Sequence, residues 1–180
     1  MGSQFLDLHL VDPTLLQARL RGDIPDLASV LYSAAEPPEE ILRPAFAIMA
    51  RGTFVFLPKG KSHPEGALYG RAVEYLLRTL GQKRWCLEYY PDEGEYPLWE
   101  LSFGRCDASW LDVPASDSGI PALAWRSPDT CRGLAYSISR TLADRSFNSR
   151  YSPERTLIEA EQALREGSSS GHGIFTIFQG

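Results

Sequence analysis

The stretch GIFTIFQ, residues 173–179, predicts the element around which the fold is organised. In a strand, successive side chains point to opposite faces, so Ile174, Thr176 and Phe178 would share one face. The residues between them are also apolar, which leaves neither face suited to water. Apolar side chains on both faces are typical of a strand buried on both sides. The stretch therefore predicts a central strand of a sheet.

A second strand is predicted at the other end of the chain, in FLDLHLV, residues 5–11. Apolar and polar residues alternate there, which is the period of a strand with one buried face. The following Asp12-Pro13 is a strong helix start, because aspartate caps free amides and proline lacks only an N–H that would be unbonded there. Two sets of leucines are expected to be buried, one in the strand and one in the helix: Leu6, Leu8, Leu10, and Leu15, Leu16, Leu20.

Further helices follow from apolar spacing and from proline and glycine at their ends. Residues 66–81 repeat apolar side chains at helical spacing and end in a glycine. Residues 127–142 open with Ser-Pro-Asp, and residues 151–167 contain Ser-Pro-Glu and close with Gly167. Pro44 should end or kink an earlier helix near Arg43. The segment PALAW is expected to be a short strand.

The order of these elements indicates an α+β fold. Strands and helices are segregated along the chain and do not alternate in a regular repeat. The sheet is expected to be mixed or antiparallel and to pack against several helices. A length of 180 residues fits one domain, residues 1–180, with a single core.

Composition and charge exclude several classes of function. The net charge of −5 disfavours nucleic-acid binding. The apolar runs are too short to span a bilayer, and the N-terminus is a poor signal peptide. Three cysteines, an odd count at wide spacing, argue against a disulfide framework and favour the cytoplasm. Charge is uneven: residues 43–84 hold eight basic and two acidic side chains, and residues 85–129 hold two basic and nine acidic ones.

The acidic excess is concentrated in EYYPDEGEYPLWE, residues 88–100. We interpret WCLEYY and PLWELSF as two strands of a hairpin whose turn is PDEGEY. A catalytic pair of carboxylates, a metal site, a partner-binding surface and a plain polar hairpin all remain open. Tyrosine and tryptophan beside carboxylates suit the binding of a basic protein. The candidate partner-binding residues are Glu88, Tyr89, Tyr90, Asp92, Glu93, Glu95, Tyr96, Trp99 and Glu100.

Other candidate sites have weaker support. The three histidines and three cysteines lack metal-ligand spacing, so neither a metal nor a cofactor is expected, and each histidine is expected to be exposed or hydrogen-bonded. A Cys–His nucleophile pair stays open, because such residues meet only in space. The glycine-rich GSSSGHG, residues 167–173, follows a helix and precedes a strand, the wrong order for a phosphate loop. It is expected to be a helix end followed by a loop.

Four segments together resemble the YfbM-like domain-of-unknown-function family. They are LHLVDPTLLQARL, ALYGRAVEYLLRTLG, GIPALAWRSPDTCRGLAYSIS and EAEQALREGSSSGHGIFTIF. The resemblance rests on the order and pattern of the elements and includes no catalytic motif. It implies an α+β fold and carries over no catalytic residues. Domains of this sort also resemble immunity proteins that neutralise bacterial toxins.

The resulting hypothesis is a non-catalytic cytoplasmic binding protein, an immunity protein or antitoxin that blocks a basic cognate toxin. The acidic residues would mimic an anionic substrate, and the aromatic residues would fill the toxin's cleft. No membrane and no nucleic acid are expected as partners. The alternative is a small enzyme or ligand-binding protein with a pocket at the sheet edge, where His63, Glu65, Tyr69 and Arg71 are the first candidates. Association of several copies through exposed aromatic residues also remains open.

Overall fold

The strands and helices of the fold are seen in a computed structural model, which describes residues 4–20, 31–33, 37–50, 66–89, 96–103, 106–107, 122–144 and 153–179. In chain order the elements are β1 (Gln4–Leu10), α1 (Pro13–Leu20), a 3-10 turn (Glu40–Leu42), α2 (Arg43–Ala50), α3 (Gly66–Leu80), β2 (Lys83–Tyr89), α4 (Tyr96–Phe103), β3 (Ala122–Arg126), α5 (Pro128–Ala143), α6 (Pro153–Ser170) and β4 (Ile174–Gln179). The apolar residues 54–57, whose composition suits a short strand, lie outside the described residues.

The four strands among the described residues form one antiparallel sheet in the order β2-β1-β4-β3. The C-terminal strand is therefore central, as its composition predicts, and residues 174–178 are all buried. The fold is α+β, and of the two sheet types expected, the antiparallel one is observed.

Helices cover both faces of the sheet. On one face, Leu6 and Leu8 of β1 and Phe178 of β4 pack with α4, α5 and α6. On the other face, Phe175 and Ile177 of β4 pack with α1, α2 and α3. Burial on two sides is the physical reason that β4 is apolar on both faces. No helix in the described part of the chain is both long and apolar enough to cross a membrane.

The helix starts follow the predicted capping. An oxygen of Asp12 accepts a hydrogen bond from the backbone N–H of Thr14 at 2.8 Å. The hydroxyl of Ser127 accepts one from the N–H of Thr130 at 3.2 Å and begins α5. Each bond satisfies an amide that has no partner inside its own helix.

The boundary near Arg43 also lies where Pro44 places it. The 3-10 turn ends at Leu42 and α2 begins at Arg43. Proline is tolerated in the first turn of a helix and disfavoured further along, so it permits α2 and prevents one continuous helix across the junction.

Two details of the predicted helices are wrong. Leu15 is 40% exposed, whereas Leu16 is fully buried. Neighbouring helical residues point about 100° apart, so both cannot face the core. Helix α6 also continues past Gly167 to Ser170. A side chain at Gly167 would lie 2.5 Å from Cγ1 of Ile174, so this glycine permits close packing inside the helix, and Gly171, with a φ of 75°, follows the helix end.

Candidate functional site

The acidic stretch is not a hairpin. Its first half is strand β2, which pairs with β1, but PLWELSF belongs to helix α4. Leu98, Leu101 and Ser102 are buried, at the spacing of one helix face, and the hydroxyl of Ser102 donates to the carbonyl of Leu98 at 2.9 Å. The aromatic residues of PLWELSF favour a strand, but burial of one helical face against the sheet outweighs this local preference.

The structure describes only part of the nine predicted binding residues. Glu88 is exposed at the end of β2, and the side chain of Glu100 in α4 is partly buried. Three more belong to β2 or α4, but their side chains lie outside the described part: Tyr89, Tyr96 and Trp99. The other four lie wholly outside it: Tyr90, Asp92, Glu93 and Glu95. The acidic stretch thus runs from the end of an edge strand into a helix.

An aromatic residue from outside the acidic stretch is paired with its first glutamate. Phe5 is directly opposite Glu88 in the β1–β2 register, and paired residues share a sheet face. Phe5 is 43% exposed, so an aromatic side chain and a carboxylate lie side by side in contact with water. The hydroxyl of Thr156 donates to the carbonyl of Glu88 at 3.3 Å and ties the strand end to α6. We call Phe5 and Glu88 the sheet-end pair.

Two residues further along the same face of β1 lies a buried carboxylate. Asp7 is 2% exposed, and Nη2 of Arg84 donates to its two oxygens at 2.9 and 2.8 Å. Arg78 of α3 approaches Asp7 at 4.0 Å and also pairs with Glu74. The hydrogen bond to Asp7 raises the pKa of Arg84. Sequence alternation places Asp7 on the polar face of β1, but α3 covers that face.

His9 follows on the same face and is fully buried. Neither of its ring nitrogens has a hydrogen-bond partner among the described residues. Burial, with smaller contributions from Arg84 and Arg78 and against the attraction of Asp7, lowers the pKa of His9 to about 4. The expectation that this histidine is exposed or hydrogen-bonded is therefore wrong. Together, Asp7, His9, Glu74, Arg78, Arg84 and Cys86 form what we call the Asp7 cluster.

The two thiols whose pKa shifts are resolved are not activated for nucleophilic chemistry. Burial raises the pKa of Cys131 to about 12. Burial, with a contribution from Asp7, also raises the pKa of the exposed Cys86. A thiol reacts as its thiolate, so both groups are poor nucleophiles at neutral pH. Among the described residues there is no group of three or more histidine, cysteine or acidic side chains that could hold a metal ion.

The residues of the alternative pocket are only partly described. His63 and Glu65 lie outside the described residues, as does the side chain of Tyr69. Arg71 donates to both carboxylate oxygens of Glu39 at 2.6 and 2.7 Å and so joins α3 to the chain before the 3-10 turn. This position gives Arg71 a structural role.

A groove of about 630 Å³ lies on the helical layer, between α5 and α6. Arg132 and Tyr136 form one wall, and Arg165, Ser168 and Ser169 form the other. Both arginines already pair with acids of their own helices, Asp129 and Glu161. The groove is wide enough for a ligand, but its charge is balanced and gives little basis for naming one.

Comparisons with family models, with curated proteins and with solved structures found no match. The assignment of a site therefore rests on the geometry of the sheet-end pair and the Asp7 cluster.

Proposed function

We propose that the protein is a non-catalytic binding protein whose contact surface is the end of the sheet around the sheet-end pair. The observation that carries the proposal is the exposure of Phe5 directly opposite the exposed Glu88. A stiff aromatic side chain supplies contact area at small entropic cost, and a neighbouring carboxylate orients a charged partner. The acidic stretch that begins at Glu88 extends the same chemistry along the sequence.

The chemistry of this surface points to a basic partner protein. The chain carries a net charge of −5, and the acidic stretch, residues 88–100, contains no lysine or arginine. Where the structure describes the ion pairs of the basic residues in 43–84, these residues do not pair with the acidic stretch. They pair with acids elsewhere: Arg43 with Glu40, Arg71 with Glu39, Arg78 with Glu74, Lys83 with Glu166 and Arg84 with Asp7.

The partner that fits best is a bacterial toxin, with this chain as its immunity protein. A toxin that acts on an anionic substrate has a basic cleft, and a row of carboxylates and aromatic rings can occupy such a cleft. We expect the complex to form in the cytoplasm, which suits three cysteines that are not joined by disulfides.

Substitution of the sheet-end pair should weaken binding of this partner. The wild-type protein and the variants Phe5→Ser and Glu88→Lys would each be tagged and used to capture proteins from the host lysate. We expect one basic protein to be captured at equal stoichiometry by the wild type. Phe5→Ser should bind it about tenfold more weakly, because the variant loses a central aromatic contact. Glu88→Lys should mainly slow association, because it reverses the charge that attracts the partner.

Matched substitutions elsewhere separate this surface from general effects of charge and aromaticity. Tyr136→Ser removes an exposed aromatic residue from α5, and Asp129→Lys reverses an exposed charge at the start of α5, beside the opposite edge strand. Both controls should capture the partner as the wild type does, and all variants should show the same circular dichroism. Equal capture by Phe5→Ser, Glu88→Lys and the controls would remove the sheet end from consideration as the contact surface.

A further inference from the structure

The unbonded, fully buried His9 is the polar group least accounted for by the fold. Buried polar side chains in native proteins nearly always have a hydrogen-bond partner, since an unmet donor or acceptor costs stability. Neither ring nitrogen of His9 has one among the described residues, although its exposure is 0%. A neutral imidazole tolerates this environment better than an imidazolium, which would bring a charge into the interior.

Charged and titratable groups face His9 from two elements besides its own. Asp7 on β1 itself, Arg84 on β2 and Arg78 on α3 act electrostatically on His9. Cys86 on β2 and Glu74 on α3 adjoin these ionic groups. Its partner on β4 is the apolar Phe175. The residues of α1, the 3-10 turn and α2 that are buried in the same core are apolar: Leu16, Leu42, Ala45 and Phe46. A proton on His9 would therefore act on the ionic groups of β1, β2 and α3.

These groups leave no open position for a further positive charge. The carboxylate of Asp7 already accepts three hydrogen bonds from Arg84, one from Nε and two from Nη2, and lies 4.0 Å from Arg78. An imidazolium would compete with Arg84 for Asp7 and would be repelled by the two guanidinium groups. The Asp7–Arg84 pair joins β1 to the edge strand β2, and Arg78 joins α3 to this pair.

We propose that the Asp7 cluster is an acid-sensitive latch, in which protonation of His9 releases β2 and α3 from β1 before the α5–α6 layer unfolds. Among the described strands, β2 pairs with β1 alone, and α5 and α6 pack on the opposite face of the sheet, away from His9. Trp85 and Leu87 of β2 share that opposite core with α6, so β2 would separate from β1 and α3 and keep its contacts with α6. Separate layers can open with different free energies, so opening on one face need not unfold the other.

The direction of the pH effect follows from the two states of His9. Its pKa is about 4 in the folded protein and 6.5 when exposed, so the open form binds more protons between these values. Above pH 6.5 neutral His9 contributes fully to the stability of the closed latch. This contribution is lost as the pH falls from 6.5 toward 4. At about pH 5 the equilibrium constant for opening should be roughly 30-fold higher than at about pH 8.

Hydrogen exchange of the free protein at about pH 8 and about pH 5, corrected for intrinsic rates, tests the proposal without any partner. In the wild type, amides of β1, β2 and α3 should lose roughly 30-fold protection at the lower pH, and amides of α5 and α6 should lose much less. In His9→Leu, which cannot titrate, the loss in β1, β2 and α3 should nearly disappear. The matched control is His172→Leu, which replaces a partly exposed histidine between α6 and β4 and should behave as the wild type does.

Two results would overturn the latch. One is an equal acid-induced loss of protection in His9→Leu and wild type, which would assign the effect to other groups. The other is a uniform loss over all helices of the wild type, which would show global unfolding. If His9→Leu does not fold, His9→Gln keeps a polar side chain that does not titrate in this range, and the same two results decide the question.

Discussion

Alanine in place of Gly173 should destabilise the protein by roughly 4 kcal/mol or prevent folding altogether. Gly173 has a φ of 74°, which favours glycine, and an added Cβ would lie 2.2 Å from the carbonyl oxygen of Arg126. That oxygen cannot move aside easily, because Arg126 is part of β3 and is paired with Ile174 in the sheet. The N–H of Gly173 also donates to Gly167 at 2.9 Å, which closes the turn between α6 and β4.

Two other glycines separate the effects of space and backbone conformation. Gly171 has a φ of 75°, but no atom lies within 4 Å of an added Cβ, so Gly171→Ala should cost only about 1 kcal/mol. Gly133 lies inside α5 with equally open space, and Gly133→Ala should stabilise the protein by about 0.5–1 kcal/mol. Urea denaturation of the three variants should rank them in this order. A cost at Gly173 no larger than at Gly171 would contradict the close approach to β3.

Removal of the Arg126 guanidinium should cost about 3–5 kcal/mol in Arg126→Ala. Arg126 is fully buried, and its Nη2 donates to the carbonyls of Glu100 at 2.7 Å and Leu101 at 3.1 Å. These carbonyls belong to the last turn of α4, where backbone oxygens lack partners within the helix and a positive charge is favourable. Burial lowers the pKa of Arg126, so the charge is held in the interior at a cost.

The measurement for Arg126 compares three variants by urea denaturation at neutral pH. Arg126→Lys keeps the charge, but lysine is one atom shorter than the path to Nη2, which donates to both carbonyls, so this variant should be intermediate. Arg132→Ala removes a mostly exposed arginine of α5 and should leave stability nearly unchanged. Hydrogen exchange of α4 should rise in Arg126→Ala. Stability equal to that of Arg132→Ala would show that the buried guanidinium does not hold α4.

Local sequence patterns predict much of this fold, because capping and apolar spacing act over a few residues. Asp12 and Ser127 mark helix starts, and the apolar residues 174–178 mark the central strand. Local pattern does not predict helix α4, because its aromatic residues favour a strand, while the packing of Leu98 and Leu101 depends on elements distant in the chain. Whether the polar face of β1 is exposed depends likewise on α3, more than fifty residues away in the chain.

The candidate site was predictable only in part for the same reason. Glu88 is part of an acidic stretch that any inspection of the sequence finds, whereas Phe5 becomes its neighbour through strand pairing. The pairing of Asp7 with Arg84, which joins two strands distant in the chain, is equally invisible before the register is known. The sequence does contain one sign of this cluster. Asp7 and His9 alternate with leucines in β1, just before the helix cap Asp12.

The measurement that tests the central claim most directly is hydrogen-exchange protection of this chain when its captured partner is bound. The account predicts slower exchange in β1 and β2, at peptides covering residues 4–10 and 83–89, with little change in α5. The Phe5→Ser variant, at matched partner concentration, should lose this protection. Protection confined to the outer surface of α5 and α6, with residues 4–10 and 83–89 unchanged, would contradict the assignment of the sheet end as the contact surface.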